Sequence, residues 1–193
     1  MKRHFTVAAN VIGAAFILMT PLQASGQAAF VVDHFTSVHA ATQSYTFVNF
    51  EEHGLSEFRC ANIYVFSDEG PIACGGCFVS PNGTRTVPLT DLIRNPIRGV
   101  VPKTGVIKVI YSRLSFSFPA IDYCDATHSV PTIGLKTFRQ KGAYELELFD
   151  TPVSKNELAE LNQICADIED VGGFGQGIIT CPPTAELPPA RSH

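Results

Sequence analysis

Leu135-Lys136-Thr137-Phe138-Arg139-Gln140-Lys141-Gly142-Ala143-Tyr144-Glu145-Leu146-Glu147-Leu148 decides the fold class of this chain. From Tyr144 onward, apolar and acidic side chains alternate with a period of two, which places one set on each face of a β-strand. Lys141-Gly142 divides that strand from Leu135 to Arg139, so the stretch reads as a hairpin. Across the pair, Lys136 and Arg139 are placed to face Glu145 and Glu147, each contact adding roughly a few tenths of a kcal/mol.

The same signals recur on both sides. Leu114-Ser115-Phe116-Ser117-Phe118 alternates like the Tyr144 strand, as a half-buried strand does. Phe30 to Val32, Tyr45 to Phe50, Ala61 to Phe66 and Val106 to Tyr111 are denser in β-branched and aromatic residues and predict strands nearer the core. Pro81-Asn82-Gly83 predicts a second hairpin, between Phe78-Val79 and Arg85-Thr86-Val87. Pro88 to Pro102 has three prolines and little periodicity, and reads as an irregular crossing. One helix stands out: Ser154 and Glu157 form a capping box, Val153 and Leu158 sit at staple positions, and Leu158, Leu161, Cys165 and Ile168 recur at helical spacing before Gly172. The expected fold is mainly β, a β-sandwich or small barrel-like domain with one C-terminal α-helix, stabilised by disulfides.

The N-terminus predicts export. Lys2 and Arg3 precede a mostly apolar run from Phe5 to Met19, and Thr20-Pro21 breaks it before the small residues Ala24-Ser25-Gly26-Gln27-Ala28. A membrane-spanning helix needs roughly 20 apolar residues, so residues 1–28 read as a cleaved signal peptide, with cleavage after Gly26 or Ala28. Residues 29–181 then form a single mostly β domain and 182–193 a Pro-rich tail. The expected location is secreted or periplasmic, with no membrane span. The formal net charge is −4, and loss of Lys2 and Arg3 leaves the remainder more acidic. That sign argues against nucleic acid as a partner, since phosphates need a basic face, and leaves a protein or glycan outside the cell.

All six cysteines, Cys60, Cys74, Cys77, Cys124, Cys165 and Cys181, lie beyond the signal segment. An even number in an exported chain implies disulfides whose connectivity spacing alone leaves open. Cys165 shares the apolar helix face, and Gly172 to Gly177 allows the chain to double back, so a Cys165–Cys181 bond is expected; Cys165–Cys124 is the competing arrangement. Cys74-Gly75-Gly76-Cys77 has the spacing of a redox dithiol, but a strand and the Pro81 turn follow it rather than a helix, which favours structural cystines. No second Cys-x-x-Cys completes a zinc site, and no metal or other cofactor is expected.

Candidate chemistry is confined to one segment. Asp122, Asp125 and His128 place oxygen and imidazole groups three apart around Cys124, where they could converge on a cation or a hydrolytic water. Loop capping around a buried Cys124 accounts for the same residues. Gly172-Gly173-Phe174-Gly175-Gln176-Gly177 follows a helix rather than opening one, so its amides are not backed by a helix dipole and it reads as a C-cap and turn. Nothing identifies a catalytic residue, and the expectation is an exported, non-catalytic β domain with a binding or structural role. The alternatives are a hydrolase or metal-dependent enzyme using Asp122, Asp125 and His128, and a thiol oxidoreductase using Cys74 and Cys77.

Ile63-Tyr64-Val65-Phe66 ahead of clustered cysteines, Val79-Ser80-Pro81-Asn82-Gly83, Asn95-Pro96, Gly99-Val100-Val101-Pro102, Thr104-Gly105-Val106-Ile107-Lys108, and the late Leu161 to Cys165 helix with Gly173 to Gly175 resemble a group of uncharacterised exported bacterial proteins with clustered cysteines. The resemblance covers about residues 58–181. It implies an exported bacterial location and brings no activity, substrate or site residue.

Overall fold

The computed structural model describes residues 29–50, 57–117, 121–172 and 175–181, with the backbone alone for 29, 115–117 and 121–123. The expected signal peptide and Pro-rich tail lie outside the described residues. In chain order come β1 (Ala29–Thr36), a 3-10 turn (Ser37–Thr42), β2 (Gln43–Asn49), β3 (Arg59–Ser67), β4 (Gly70–Val79), β5 (Thr84–Pro88), α1 (Leu89–Ile93), β6 (Thr104–Arg113), β7 (Ser115–Ser117), β8 (Ile121–Tyr123), β9 (Leu135–Lys141), β10 (Tyr144–Leu148), β11 (Asp150–Pro152) and α2 (Lys155–Val171). A five-stranded antiparallel sheet, β11-β1-β6-β3-β4, packs on a four-stranded one, β10-β9-β2-β5, while β7 and β8 form a separate ribbon. Among the described strands neither sheet closes on itself, so the fold is an open sandwich rather than a barrel.

The density of apolar residues in β3 follows from its place in three layers. Ala61, Ile63 and Val65 face the four-stranded sheet, and Tyr64 lies in the cluster under α2, so Cys60 to Val65 are buried on both faces. β5 has solvent over one face, and its burial alternates strictly. The strand that opened the sequence reading is more exposed than its pattern predicts: β10 lies at a sheet edge, and Tyr144 is 83% exposed. Its hairpin with β9 is formed, with Tyr144 opposite Lys141. Lys136 meets Glu147 at 2.7 Å as expected, whereas Arg139 faces inward to Asp33 at 2.7 Å and not to Glu145 or Glu147.

The Pro81-Asn82-Gly83 turn exists, with Asn82 at φ 51° and the Gly83 N–H donating to the Ser80 carbonyl at 3.0 Å. It does not make the expected hairpin. β4 pairs with β3 and β5 with β2, so the turn carries the chain from one sheet to the other. Between Pro88 and Pro102 the expected irregular crossing contains α1, which buries Leu89, Leu92 and Ile93 in the core between the sheets. One helical turn is too short to show as periodicity.

Helix α2 begins as its sequence predicts: Ser154 Oγ accepts from the Glu157 N–H at 3.1 Å, and Val153, Leu161, Cys165 and Ile168 pack on the outer face of the five-stranded sheet. Fully burying each Leu or Ile there contributes roughly 1.5–3 kcal/mol. The box closes only halfway, because the Glu157 carboxylate is held at 2.6 Å by Lys108 Nζ on β6.

Three disulfides join Cys60 to Cys124, Cys74 to Cys165 and Cys77 to Cys181, with Cα separations of 5.4, 5.6 and 5.4 Å. Neither the expected Cys165–Cys181 bond nor its Cys165–Cys124 competitor is formed. The alternation of β4 explains this: Cys74 sits under α2, and Cys77, three residues on, faces the core between the sheets. Cys165 does point inward from the apolar helix face, but the sulfur it meets there is on the sheet. Cys74 and Cys77 are therefore not a dithiol pair, since each is bonded to a distant residue.

Candidate functional site

The Cys60–Cys124 bond pins the chain after β8 over the outer face of the five-stranded sheet. Asp125 and His128 come together there: Asp125 Oδ1 accepts from the Thr127 N–H at 2.8 Å, and His128 Nδ1 lies 3.2 Å from Asp125 Oδ2 and 2.7 Å from Thr127 Oγ1. Burial pulls the Asp125 carboxyl upward, but the Thr127 hydrogen bonds and the neighbouring His128 outweigh it and leave the group below the ordinary carboxylate range. Glu169 on α2 is raised, first by burial and then by the charges of Asp125 and Asp170. Asp122 is placed by its backbone in β8, opposite Phe116.

This arrangement is a turn in which an aspartate caps backbone two residues ahead. The nearest hydroxyl in sequence, Ser129, is turned inward, and His128 is 81% exposed on the other side. Among the described residues no three His, Cys, Asp or Glu side chains are placed to hold a metal ion.

Beneath the loop lies a buried polar network that the sequence reading missed. Asn62 Nδ2 donates to Ser129 Oγ at 2.6 Å and to Ser112 Oγ at 2.8 Å. The Tyr64 hydroxyl donates to the Ala126 carbonyl at 2.8 Å and lies 2.9 Å from Ser129 Oγ. Burial pushes that hydroxyl up to about 12 against the opposing Ser129 bond. Asn62 and Tyr64 sit within an apolar run, and no sequence signal marks them as partners of a loop more than sixty residues away.

At the far end of β3 two adjoining clefts, about 240 and 430 Å³, share Ser67, Asp68 and Thr104. The smaller is bordered by the Glu69–Arg98 ion pair at 3.1 Å.

Three arginines are turned into the space between the sheets, and they are satisfied differently. Arg139 binds Asp33, whose second oxygen accepts from the Tyr45 hydroxyl at 2.9 Å; burial and the Asp33 charge push that tyrosine far above its ordinary value. Arg59 Nη1 donates at 2.8 Å to Asn49 Oδ1 and to the carbonyls of Phe50 and Gly134. Arg85, on β5, is only 7% exposed and has no hydrogen-bond or ion-pair partner among the described residues. Burial lowers its guanidinium below the usual arginine value, with no acid to restore it.

No family model, no curated protein and no solved structure matches this chain.

Proposed function

We propose that this chain is an exported, non-catalytic β domain of the kind found in the bacterial group it resembles, acting by binding or structural packing in the cell envelope or outside the cell. The observation that carries the reading is the layout of the cystines. Their partners lie 64, 91 and 104 residues apart and tie a loop, a helix and the last described segment to the same sheet. Bonds of that span persist where thiols are not kept reduced, and cytosolic chains rarely depend on them. The acidic balance and the absence of a helix long and apolar enough to cross a membrane among the described residues fit the same reading.

Cell fractionation with thiol mapping tests it. Outside the cytoplasm, the chain is expected to start within residues 24–29 and to show the three mapped cystines with no free thiol. Recovery in the cytoplasm with Met1 intact and six reactive thiols overturns the reading.

A further inference from the structure

We infer that the free edge of β5 is a docking site for an extended segment of a partner protein that brings a carboxylate to Arg85. β5 ends the four-stranded sheet, with β2 as its one ladder partner among the described strands. Its hydrogen-bond phase follows from one contact: the Asn49 N–H donates to the Gly83 carbonyl at 2.9 Å. In an antiparallel ladder such pairs recur every second residue, so Phe47–Arg85 and Tyr45–Val87 also exchange bonds across the sheet. The N–H and C=O groups of Thr84 and Thr86 consequently point away from β2, toward the open edge. Both residues are exposed, and Pro88, which has no N–H, ends the free ladder.

Arg85 sits between these two open positions with its side chain turned toward the interior. A strand added at this edge bonds to Thr84 and Thr86 and sets one residue directly opposite Arg85, at the type of pair where opposing side chains come closest. A carboxylate there completes a charge-assisted, forked pair with the guanidinium. Arg139 has an acid and Arg59 has neutral acceptors, so of the three interior arginines Arg85 is the one with no acceptor among the described residues.

Charge complementarity to Arg85 asks for a foreign segment with the pattern of a β-strand and an acid at its centre. A second copy with its faces aligned sets Leu146 of its edge strand β10 on the side of Arg85, and it offers Glu145 or Glu147 only when turned over. Self-association of the oxidised chain that Arg85→Gln abolishes would assign the edge to such a copy and overturn the inference. Main-chain bonds supply affinity, and the central acid supplies selectivity. The inference deepens the binding reading above but does not depend on export.

The test uses purified oxidised chain and a fluorescent, capped heptapeptide Thr-Val-Thr-Glu-Thr-Val-Thr, with Gln or Lys at the centre as controls. Saturable binding to the Glu peptide is expected, with amide shifts at Thr84 and Thr86. Affinity should fall by about tenfold or more for the Gln peptide, as expected when a hydrogen bond to a charged group is lost. Arg85→Gln should show the same loss while unfolding no earlier than the parent, because no partner among the described residues holds the guanidinium. Arg85→Lys, which keeps the charge without the fork, should bind at an intermediate level and serves if the Gln variant fails to fold. No binding, equal binding by the Arg85 variants, or equal binding of the three peptides overturns the inference. So does binding that appears only after residues 182–193 are removed, which would assign the carboxylate to this chain's own tail. None of these failures alters the thiol map on which the export reading rests.

Discussion

Cys77 and Cys181 meet because each lies three residues beyond one member of the same parallel bridge, Cys74 with Ile178. The Cys74 N–H donates to the Gly177 carbonyl at 2.8 Å, and the Ile179 N–H donates to the Cys74 carbonyl at 2.7 Å. The returning segment thus runs beside β4 in step with it, and two cysteines at equal offsets are delivered to one another. Cys74, the residue that fixes this register, is itself bonded to α2 through Cys165.

Replacing Cys74 and Cys165 together by Ser should therefore loosen two elements. In the chain-entropy picture a closed loop of this size is worth roughly 4–5 kcal/mol. Denaturant unfolding should show a loss of that order, with hydrogen exchange accelerated in α2 and at the Cys74 and Ile179 amides. An unchanged exchange rate at Ile179 would show that the bridge holds register without the helix.

The pair Asp33 and Arg139 ties β1 in one sheet to β9 in the other at 2.7 Å, with Asp33 nearly sealed. Asp33→Asn leaves the arginine without its charge partner and should cost about 3 kcal/mol, the lower end for breaking a buried pair. Combining it with Arg139→Met should cost less than the two single changes added. Urea midpoints for the four proteins measure the difference.

Asp125 and Glu169 give pH dependences of opposite sign. The Asp125 carboxyl is lowered in the folded chain, so its contribution to stability is present above the unfolded pKa and disappears as pH falls through the folded one. Glu169 is raised, so the folded chain resists its ionisation, and stability falls as pH rises from the unfolded pKa to the folded one, with the full penalty above it. Asp125→Asn should flatten the acid limb of a melting-temperature profile. Glu169→Gln should raise the melting temperature at neutral pH and leave it unchanged in acid.

Gly76 lies beneath the Cys60–Cys124 bond. A Cβ there would meet Cys124 Cβ and stand 2.7 Å from Asn62 Oδ1, a buried atom with no hydrogen-bond partner among the described residues. Gly76→Ala should cost about 1–3 kcal/mol by overpacking and shift the loop around Ala126. Thermal unfolding and the amide signals of Asp125 to Ser129 report both effects.

Local signals were legible where one residue's neighbours decide its state. Period-two alternation located β10, dense branched runs located β3 and β6, and Ser154 with the Leu161 stripe located α2. Relations set by register were not legible. Whether Cys165 meets Cys181 or Cys74 depends on which face of β4 lies under the helix, and whether the Pro81 turn folds back or crosses depends on the partner of β5. Asp125 and His128 were brought together as their spacing suggested, but the side chains that organise that face, Asn62 and Tyr64, were hidden by their apolar neighbours. Arg85 entered only as part of the expected hairpin arm Arg85-Thr86-Val87, because the missing counter-charge is a property of its surroundings.

The returning segment beside β4 has a consequence for how this chain fails. A long edge strand rich in glycine and apolar residues invites pairing with other molecules, and here that edge is occupied by residues 177–179 and held by the Cys77–Cys181 bond. Gly75 permits the cover to lie so close, since a Cβ at that position would strike the Ile179 carbonyl. Chains made without their cystines lose the fastener while keeping the adhesive strand. Reduced material should accumulate as insoluble β-aggregate, and correct oxidation, more than the strength of the core, would then set the soluble yield.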